Sequence, residues 1–262
     1  MRISLIVQAR SNSSRFKSKM TKFLDNTTLL DWVLKRARKS KKTNQFILAT
    51  TNKIKDKELI QIANKNKFKI FKGSEKNVLE RFYKCAKNFK SKIIVRVCAD
   101  NPFVDAKEID RLIARFLKSD LDYLYNTMQT SNNYNADGFG AEILSFEALS
   151  KAHKLAKNKS DREHVTKFIR NQKRSFKTKC LEPELGLNFP YLKFDINTNK
   201  DFYKIQKLIF KQKIKTNTNA KKIISTKISS EIDQYLKKLF PLRRSLTGEG
   251  NLETLKILNN IS

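Results

Sequence analysis

As far as Leu117 the chain alternates between two hydrophobic rhythms. Short apolar-rich runs, "ISLIV" at 3–7, "QFILATT" at 45–51, "FKIFKG" at 68–73 and "KIIVRVCAD" at 92–100, are separated by stretches in which apolar residues return every three or four positions. The runs predict buried strands and the stretches predict amphipathic helices. The helical stripes are Leu29, Leu30, Val33, Leu34 and Ala37; Leu59, Ile60 and Ala63; Val78, Leu79, Phe82 and Ala86; and Ile109, Leu112, Ile113 and Phe116. Ahead of the last stripe, Asp105 and Glu108 have the spacing of an N-cap and its capping-box partner. Regular alternation of strand and helix implies βαβ units. With right-handed crossovers these build an α/β fold with a doubly wound, mostly parallel sheet. Ligands bind such sheets at the carboxyl ends of the strands. The residues that matter are then Arg10 to Lys19, Thr50 and Thr51, Gly73, and Asp100-Asn101-Pro102.

Beyond Asp122 the rhythm changes. "DYLYNT" and "AEILSF" read as strands around the polar loop "MQTSNNYNADGFG". Helices are expected over 145–157 and 161–172, "YLKFDIN" as a short strand, and "KDFYKIQKLIF" as a helix. The polar, low-complexity stretch "KQKIKTNTNAKKIISTK" reads as a linker. The tail "EIDQYLKKLFPLRRSLTGEGNLETLKILNN" reads as two short amphipathic helices around a glycine-containing turn. The expected organisation is a main domain over 1–212, a linker over 213–228 and a helical tail over 229–262.

Composition narrows the function classes. The 262 residues include 56 Lys and Arg against 25 Asp and Glu, a formal net charge of +31. Dense basic charge suits nucleic acid or a small polyanion such as a nucleotide. It also suits a plain lysine-rich composition, because the lysines fall on nearly every element instead of forming one stripe. No RNP, helix-turn-helix or zinc-finger pattern is present, and the aromatic residues fall at core periods, so nucleic acid is not the expected partner. Cys85, Cys98 and Cys180 are isolated, with only His153 and His164 beside them, which argues against zinc and suits a reducing cytoplasm. No run approaches the 18 apolar residues of a membrane span.

The first strand empties into "QARSNSSRFKSK". No glycine precedes Gly73, which excludes a P-loop and a GxGxxG turn. Small polar Ser11, Asn12, Ser13 and Ser14 can still form an amide-lined turn, and Arg10, Arg15 and Lys19 could clamp a triphosphate. The same loop reads equally as a solvated basic turn. Asp100, ending a buried strand, suits a Mg2+ ligand, since that ion takes one or two carboxylates plus water and phosphate oxygens. It would serve as well to cap the following loop. Asp195 in "YLKFDIN" offers a second carboxylate in a similar place.

Taken together, "QARSNSSRFKSK", "ILATT", "NVLERFYKCAK", "IIVRVCADNPFVD", "ADGFGAEILSFEAL", "DREHVTKFI" and "LKFDINTNKDF" resemble, in order and spacing, the cytidylyltransferase family over about 1–210. The group most resembled is the spore-coat-polysaccharide type, related to the synthetases that activate 3-deoxy-manno-octulosonate and sialic-acid-like sugars. The resemblance implies a nucleotide-diphospho-sugar-transferase-like fold with a small β/α dimerisation subregion, a homodimer, and Mg2+-dependent transfer of CMP from CTP to a sugar, with an acidic sugar as the expected acceptor. By position it implies that Arg10, Ser11, Asn12, Ser13, Arg15 and Lys19 hold the nucleotide, with Arg81 and Arg96 near by. Lys19, Arg10 and Asp100 would be catalytic, Asp100 and Asp195 would hold the metal, and Asp137, Glu142, Arg162 and His164 would face the sugar. Three positions depart from the pattern. Asn12 and Ser18 replace glycines, so the loop is expected to bend differently, and Gly140 stands where a second aspartate belongs. A related transferase using another NTP or a neutral sugar, or a non-catalytic nucleotide-sugar-binding protein, would share the fold. The segment "LFPLRRSLTGEGNLETLKIL" separately resembles the opening of an aminopeptidase-like domain, without any metal-binding constellation after it.

Overall fold

A seven-stranded sheet in the order β3-β2-β1-β4-β6-β5-β7 organises the chain. The strands are β1 (Ile3–Gln8), β2 (Gln45–Thr51), β3 (Lys69–Gly73), β4 (Ile93–Cys98), β5 (Tyr123–Tyr125), β6 (Glu142–Ser145) and β7 (Thr178–Cys180). The structure is a computed structural model that describes residues 1–11, 16–127, 134–172, 174–239, 251 and 253–256. The chain divides into two compact units, Met1–Ala220 and Lys221–Ser262.

β1 pairs in parallel with β2 on one side and β4 on the other, and β3 pairs in parallel with β2. β6 runs antiparallel to both β4 and β5, and β5 pairs in parallel with β7. Strands buried on both faces read as continuous apolar runs, and every residue of Ile3–Val7 is buried. Helices α1 (Leu29–Ala37), α2 (Lys57–Lys65), α3 (Val78–Asn88) and α4 (Ala106–Phe116) join the parallel strands, followed by α5 (Phe146–Leu155), α6 (Lys159–Glu163), α7 (Lys167–Asn171), α8 (Asn199–Lys211) and α9 (Ala220–Leu239). Each of α1, α3 and α5 starts on a side chain that accepts from the third residue on: Thr28 from the Asp31 amide, Asn77 from that of Glu80 and Ser145 from that of Ala148. On the α3 and α5 face, Ile6, Ile47, Ile94, Leu79, Phe82, Tyr123, Leu144 and Leu149 form one buried cluster.

The structure corrects five details of the pattern. Asp105 does cap α4, accepting from the Lys107 amide, but Glu108 does not turn back to complete a box. It is buried and paired with Arg111 instead. A reciprocal box does open α8, between Thr198 and Asp201. "YLKFDIN" is no strand: it makes one isolated bridge, Asp137 with Lys193. Its polar backbone groups go elsewhere, the Ile196 amide to the Asp100 carbonyl and the Ile196 carbonyl to Lys19. The edge position is taken by β7, a three-residue strand the pattern does not signal. The helix expected over 161–172 is broken into α6 and α7. His164 is extended at the break, and Thr166 turns its hydroxyl inward to Glu142 at 2.7 Å. Finally, 220–228, expected as linker, is helical from Ala220 on. Ala220, Ile224, Ile228 and Ile232, four apart, carry the helical period through its lysines. Most of the tail that resembles an aminopeptidase-like opening lies outside the described residues.

Candidate functional site

The order of strands reverses between β1 and β4, and the chains leaving these two strands part to either side. This is the crevice where open α/β sheets bind ligands. Arg10 and Ser11 leave β1, and Asp100 leaves β4. The chain returns to the crevice in a 3-10 turn, Lys19–Thr21, entered through Ser18. Ser18 has φ 55 and ψ 23, so it adopts the left-handed conformation that glycine takes freely, at a cost of roughly 1–2 kcal/mol. Asn12, Ser13 and Arg15 lie outside the described residues.

The turn buries Lys19 almost completely. Its ammonium donates to the Ile196 carbonyl at 2.7 Å and stands 3.3 Å from Asp100 Oδ2. Asp195 lies one residue from that carbonyl, and Asn197 donates to its carboxylate. Asp100, Asp137 and Asp195 all border a cavity of about 300 Å3 that also meets Asn101, Thr127 and Arg170. A second cavity, of about 420 Å3, shares Asp137 and Asp195 and adds Lys193 and Lys204. Burial, and then the charge of Asp195, push the Asp137 carboxyl up to about 6. Burial, and then Asp100, raise Asp195. Negative charge on neighbouring carboxylates is thus felt along this wall, from Asp195 at Asp137 and from Asp100 at Asp195. Among the described residues, no group of three or more His, Cys, Asp and Glu could hold a metal ion by itself. The observation that bears on a cation is the charge of Asp100 raising Asp195, a repulsion a bound cation would relieve, and Mg2+ takes one or two carboxylates with water and phosphate oxygens. Asp100 and Asp195 fit Mg2+ on this ground.

On the β2 and β3 side, Arg10 donates to the Glu75 carbonyl at 3.4 Å. The Ser11 amide donates to Asp56 at 2.8 Å. Asp56 also accepts from the Thr50 and Thr51 hydroxyls, so this buried carboxylate ties the start of the basic loop to the end of β2. Arg81 is fully buried and donates through one nitrogen to the Ser74 carbonyl at 2.9 Å. Burial, and then the charge of Arg10, push its pKa down to about 10. Gly73 makes room for it: a Cβ there would stand 2.9 Å from Arg81 Cγ.

On the β6 side, Glu142 is buried and accepts from Arg96, the Tyr123 hydroxyl and the Thr166 hydroxyl. Burial alone would raise its pKa, but Arg96 and these hydrogen bonds hold it below the usual carboxylate range. Arg96 and Glu142 therefore form the wall of the smaller cavity as a pair. Gly140 borders the same cavity and has no room for a side chain. An ideal Cβ would stand 2.1 Å from the Asn126 carbonyl oxygen. Asn126 in turn accepts from the Ala141 amide at 2.8 Å and donates to Glu108 at 3.0 Å. Arg162 and His164 border neither cavity. Arg162 acts on His153, which stacks on Tyr83 of α3 with ring centroids 4.3 Å apart, and His164 is exposed. Sequence reasoning did not single out Asp56, Thr127, Arg170, Lys193 or Lys204. For Asp56 a signal existed, a carboxylate just ahead of α2 and close after β2.

Comparison with known proteins adds findings of three kinds. The cytidylyltransferase family matches residues 4–240. The spore coat polysaccharide biosynthesis protein SpsF of Bacillus subtilis is 31% identical over 229 residues, 85% of this chain and 92% of that protein. An uncharacterized protein of Methanocaldococcus jannaschii is 38% identical over 202 residues, 77% of this chain and 81% of that protein. Among solved structures, a cytidylyltransferase from Leptospira borgpetersenii superposes with a TM-score of 0.78 at 24% identity, over 89% of this chain and 95% of that one. The CMP:2-keto-3-deoxy-manno-octonic acid synthetase complexed with CTP superposes with a TM-score of 0.62 at 12% identity, over 81% of this chain and 100% of that one.

Proposed function

The chain belongs to the cytidylyltransferase family and is a nucleotidyltransferase, and on that premise we propose that it transfers CMP from CTP to a sugar hydroxyl in the assembly of a surface glycan. The observation that carries this reading is the meeting of Lys19, Asp100 and Asp195 at the crevice between β1 and β4. The glycan setting is taken from likeness to a spore coat polysaccharide protein. An acidic sugar as acceptor is taken from likeness in fold to a keto-sugar-acid synthetase.

The oxygen of the sugar hydroxyl attacks the α-phosphorus, and the bond from that phosphorus to the oxygen joining it to the β-phosphate breaks in line with it, so that this oxygen leaves with the pyrophosphate. Lys19 reaches the α-phosphate and offsets the charge that grows on it and on the departing pyrophosphate. Its hydrogen bond to the Ile196 carbonyl fixes its direction in advance, so little reorganisation accompanies the reaction. Arg10 and Ser11 hold the triphosphate. Asp100 and Asp195 would hold Mg2+, which neutralises phosphate charge and aligns attacking and leaving oxygens. Asp137, bordering both cavities, accepts the hydroxyl proton. Without metal, burial, and then the charge of Asp195, push its carboxyl up to about 6, which leaves it ionised at neutral pH.

The test is pyrophosphate release by the purified chain with CTP, Mg2+ and a panel of keto-sugar acids and neutral sugars. Release above the CTP-only rate with one or more keto-sugar acids is expected. Release with neutral sugars alone would overturn the acidic acceptor, and release with none of them would overturn the transfer to a sugar.

A further inference from the structure

Three side chains at the β1 and β4 end of the sheet keep buried polar atoms without a hydrogen-bond partner. They are Gln8 Oε1, Arg96 Nε, and both Nε and Nη2 of Arg81. Strand register brings the first two together. Gln8 lies level with Cys98, and Ile6 with Arg96. Residues level across a parallel pair, or two apart along a strand, face the same side of the sheet. Gln8 and Arg96 are therefore diagonal neighbours on the face where Ile6 and Ile94 pack against α3. Arg10 follows two residues after Gln8, and its charge is felt at Arg81.

A buried polar atom left unpaired carries its full desolvation penalty with nothing to offset it. Such atoms are rare in native proteins, and a group of them marks a place where something else completes the bonds. The missing ligand must offer acceptors to guanidinium groups and a donor to a carboxamide oxygen. The pairing edge of cytosine has that composition, with O2 and N3 as acceptors and the 4-amino group as donor. We propose that Gln8 is a specificity-determining residue of the nucleotide site, its Oε1 accepting from the 4-amino group of the cytosine ring while Arg81 faces the ring's acceptor edge. This rests on the CTP reading above and deepens it.

The neighbours fix which way the carboxamide points. Arg96, diagonal to Gln8 across the β1 and β4 pair, and Arg10, two residues on, put positive charge on this side of the sheet, which favours the oxygen end of the amide there. A uracil ring would present O4 where cytosine presents the amino group, and two acceptors would then oppose each other. Turning the amide over would bring its own hydrogens toward those positive charges. UTP is thus rejected by unpaired polar groups, which discriminate more sharply than pocket size does.

The experiment measures dissociation constants by calorimetry, with Mg2+, for CTP, UTP and the triphosphate of pyrimidin-2-one riboside, which is CTP without its 4-amino group. Wild type is expected to bind CTP about tenfold or more tighter than either of the others. Gln8→Leu should weaken CTP by about tenfold, or about 1.4 kcal/mol, and leave the analogue within about twofold, so that the preference disappears. Gln8→Glu, which keeps an acceptor in place, should keep the preference. Two ligands compared on one protein give a ratio that does not depend on the folded fraction. If Gln8→Leu retains the wild-type ratio, or if wild type does not distinguish CTP from the analogue, the inference is wrong while the CTP reading stands. If wild type binds no CTP, both fall.

Discussion

Gly140 offers the most direct physical test of the site's architecture, because the aspartate that the family pattern carries there has no space in this chain. In Gly140→Ala the new Cβ would stand 2.1 Å from the Asn126 carbonyl oxygen and 2.6 Å from both its carbonyl carbon and Oδ1. Real Cβ contacts stay above 3.0 Å, so the backbone at 126 or 140 must move by about 0.9 Å. Asn126 cannot yield freely. It is buried, its Oδ1 takes the Ala141 amide at 2.8 Å, and its amide donates to the buried Glu108. Overpacking a tight interior costs about 1–3 kcal/mol. Stranding the Ala141 amide adds roughly another 1–3 kcal/mol. Part of this is shared between the two, so we expect a loss of about 2–4 kcal/mol in urea denaturation at neutral pH. For a unit of this size that corresponds to a drop of roughly 5–12 °C in melting temperature. Gly140→Asp, which restores the family pattern, should be worse than Gly140→Ala, since it adds a carboxylate against a carbonyl. If either variant melts within about 1 °C of wild type, the close approach of Gly140 to Asn126 is not a real constraint and the reasoning fails.

Four further outcomes follow from the same geometry. Lys19→Ala should lower kcat by roughly 10²–10³, the usual scale for one preorganised charge-stabilising donor, and turnover like wild type would remove Lys19 from the chemistry. Asp100→Asn and Asp195→Asn should each weaken Mg2+-dependent CTP binding in calorimetry with unchanged circular dichroism, and unaltered metal dependence would end their assignment as ligands. Glu142→Leu strands the buried Arg96 charge and should cost roughly 3–5 kcal/mol. The folded pKa of Glu142 lies below its ordinary 4.5, so its contribution is present above about pH 4.5 and fades as pH falls through the folded value. Urea melts of wild type and the variant should converge in that acid window. Asp137 has the opposite sign: its folded pKa of about 6 exceeds the ordinary 3.8. Without metal its ionisation therefore destabilises the fold increasingly from about pH 4 to 6 and fully above that. Asp137→Asn should raise the melting temperature at pH 7.5 and change it little at pH 4. An equal gain at both values would mean that charge is not the cause.

Those elements that carry a clean period were legible beforehand. β1, β2 and β4 bury one apolar run each and α1 to α4 one stripe each, and that is what a single sequence displays, while β3 is half-buried at most. β7 was not legible, because three residues with a lysine in the middle have no period to read. Nor was the break at His164, since it depends on Thr166 being drawn to Glu142, 24 positions away. Where Arg10 and Asp100 stand in the fold was legible because each lies two residues past a strand at the switch between β1 and β4, whereas the return of Lys19, eleven residues past β1, to the Asp100 side is seen only in the structure. The physical state of the site was not. The raised pKa of Asp137 depends on Asp195, far along the chain. The complete burial of Arg81 depends on Gly73 leaving room beside it. In a helix that reads as amphipathic, an arginine between Glu80 and Phe82 gives no sign of being inside.

The central claim is that the crevice between β1 and β4 holds CTP with a metal. A thermal-shift panel with CTP, UTP, ATP and GTP, each with and without Mg2+, tests it most directly. A ligand at 100 times its Kd adds about 2.7 kcal/mol to the folded state. The account predicts a rise of that order with CTP and Mg2+ together, and a much smaller one with the other nucleotides or without the metal. Equal shifts for all four nucleotides, or none for CTP, would contradict it.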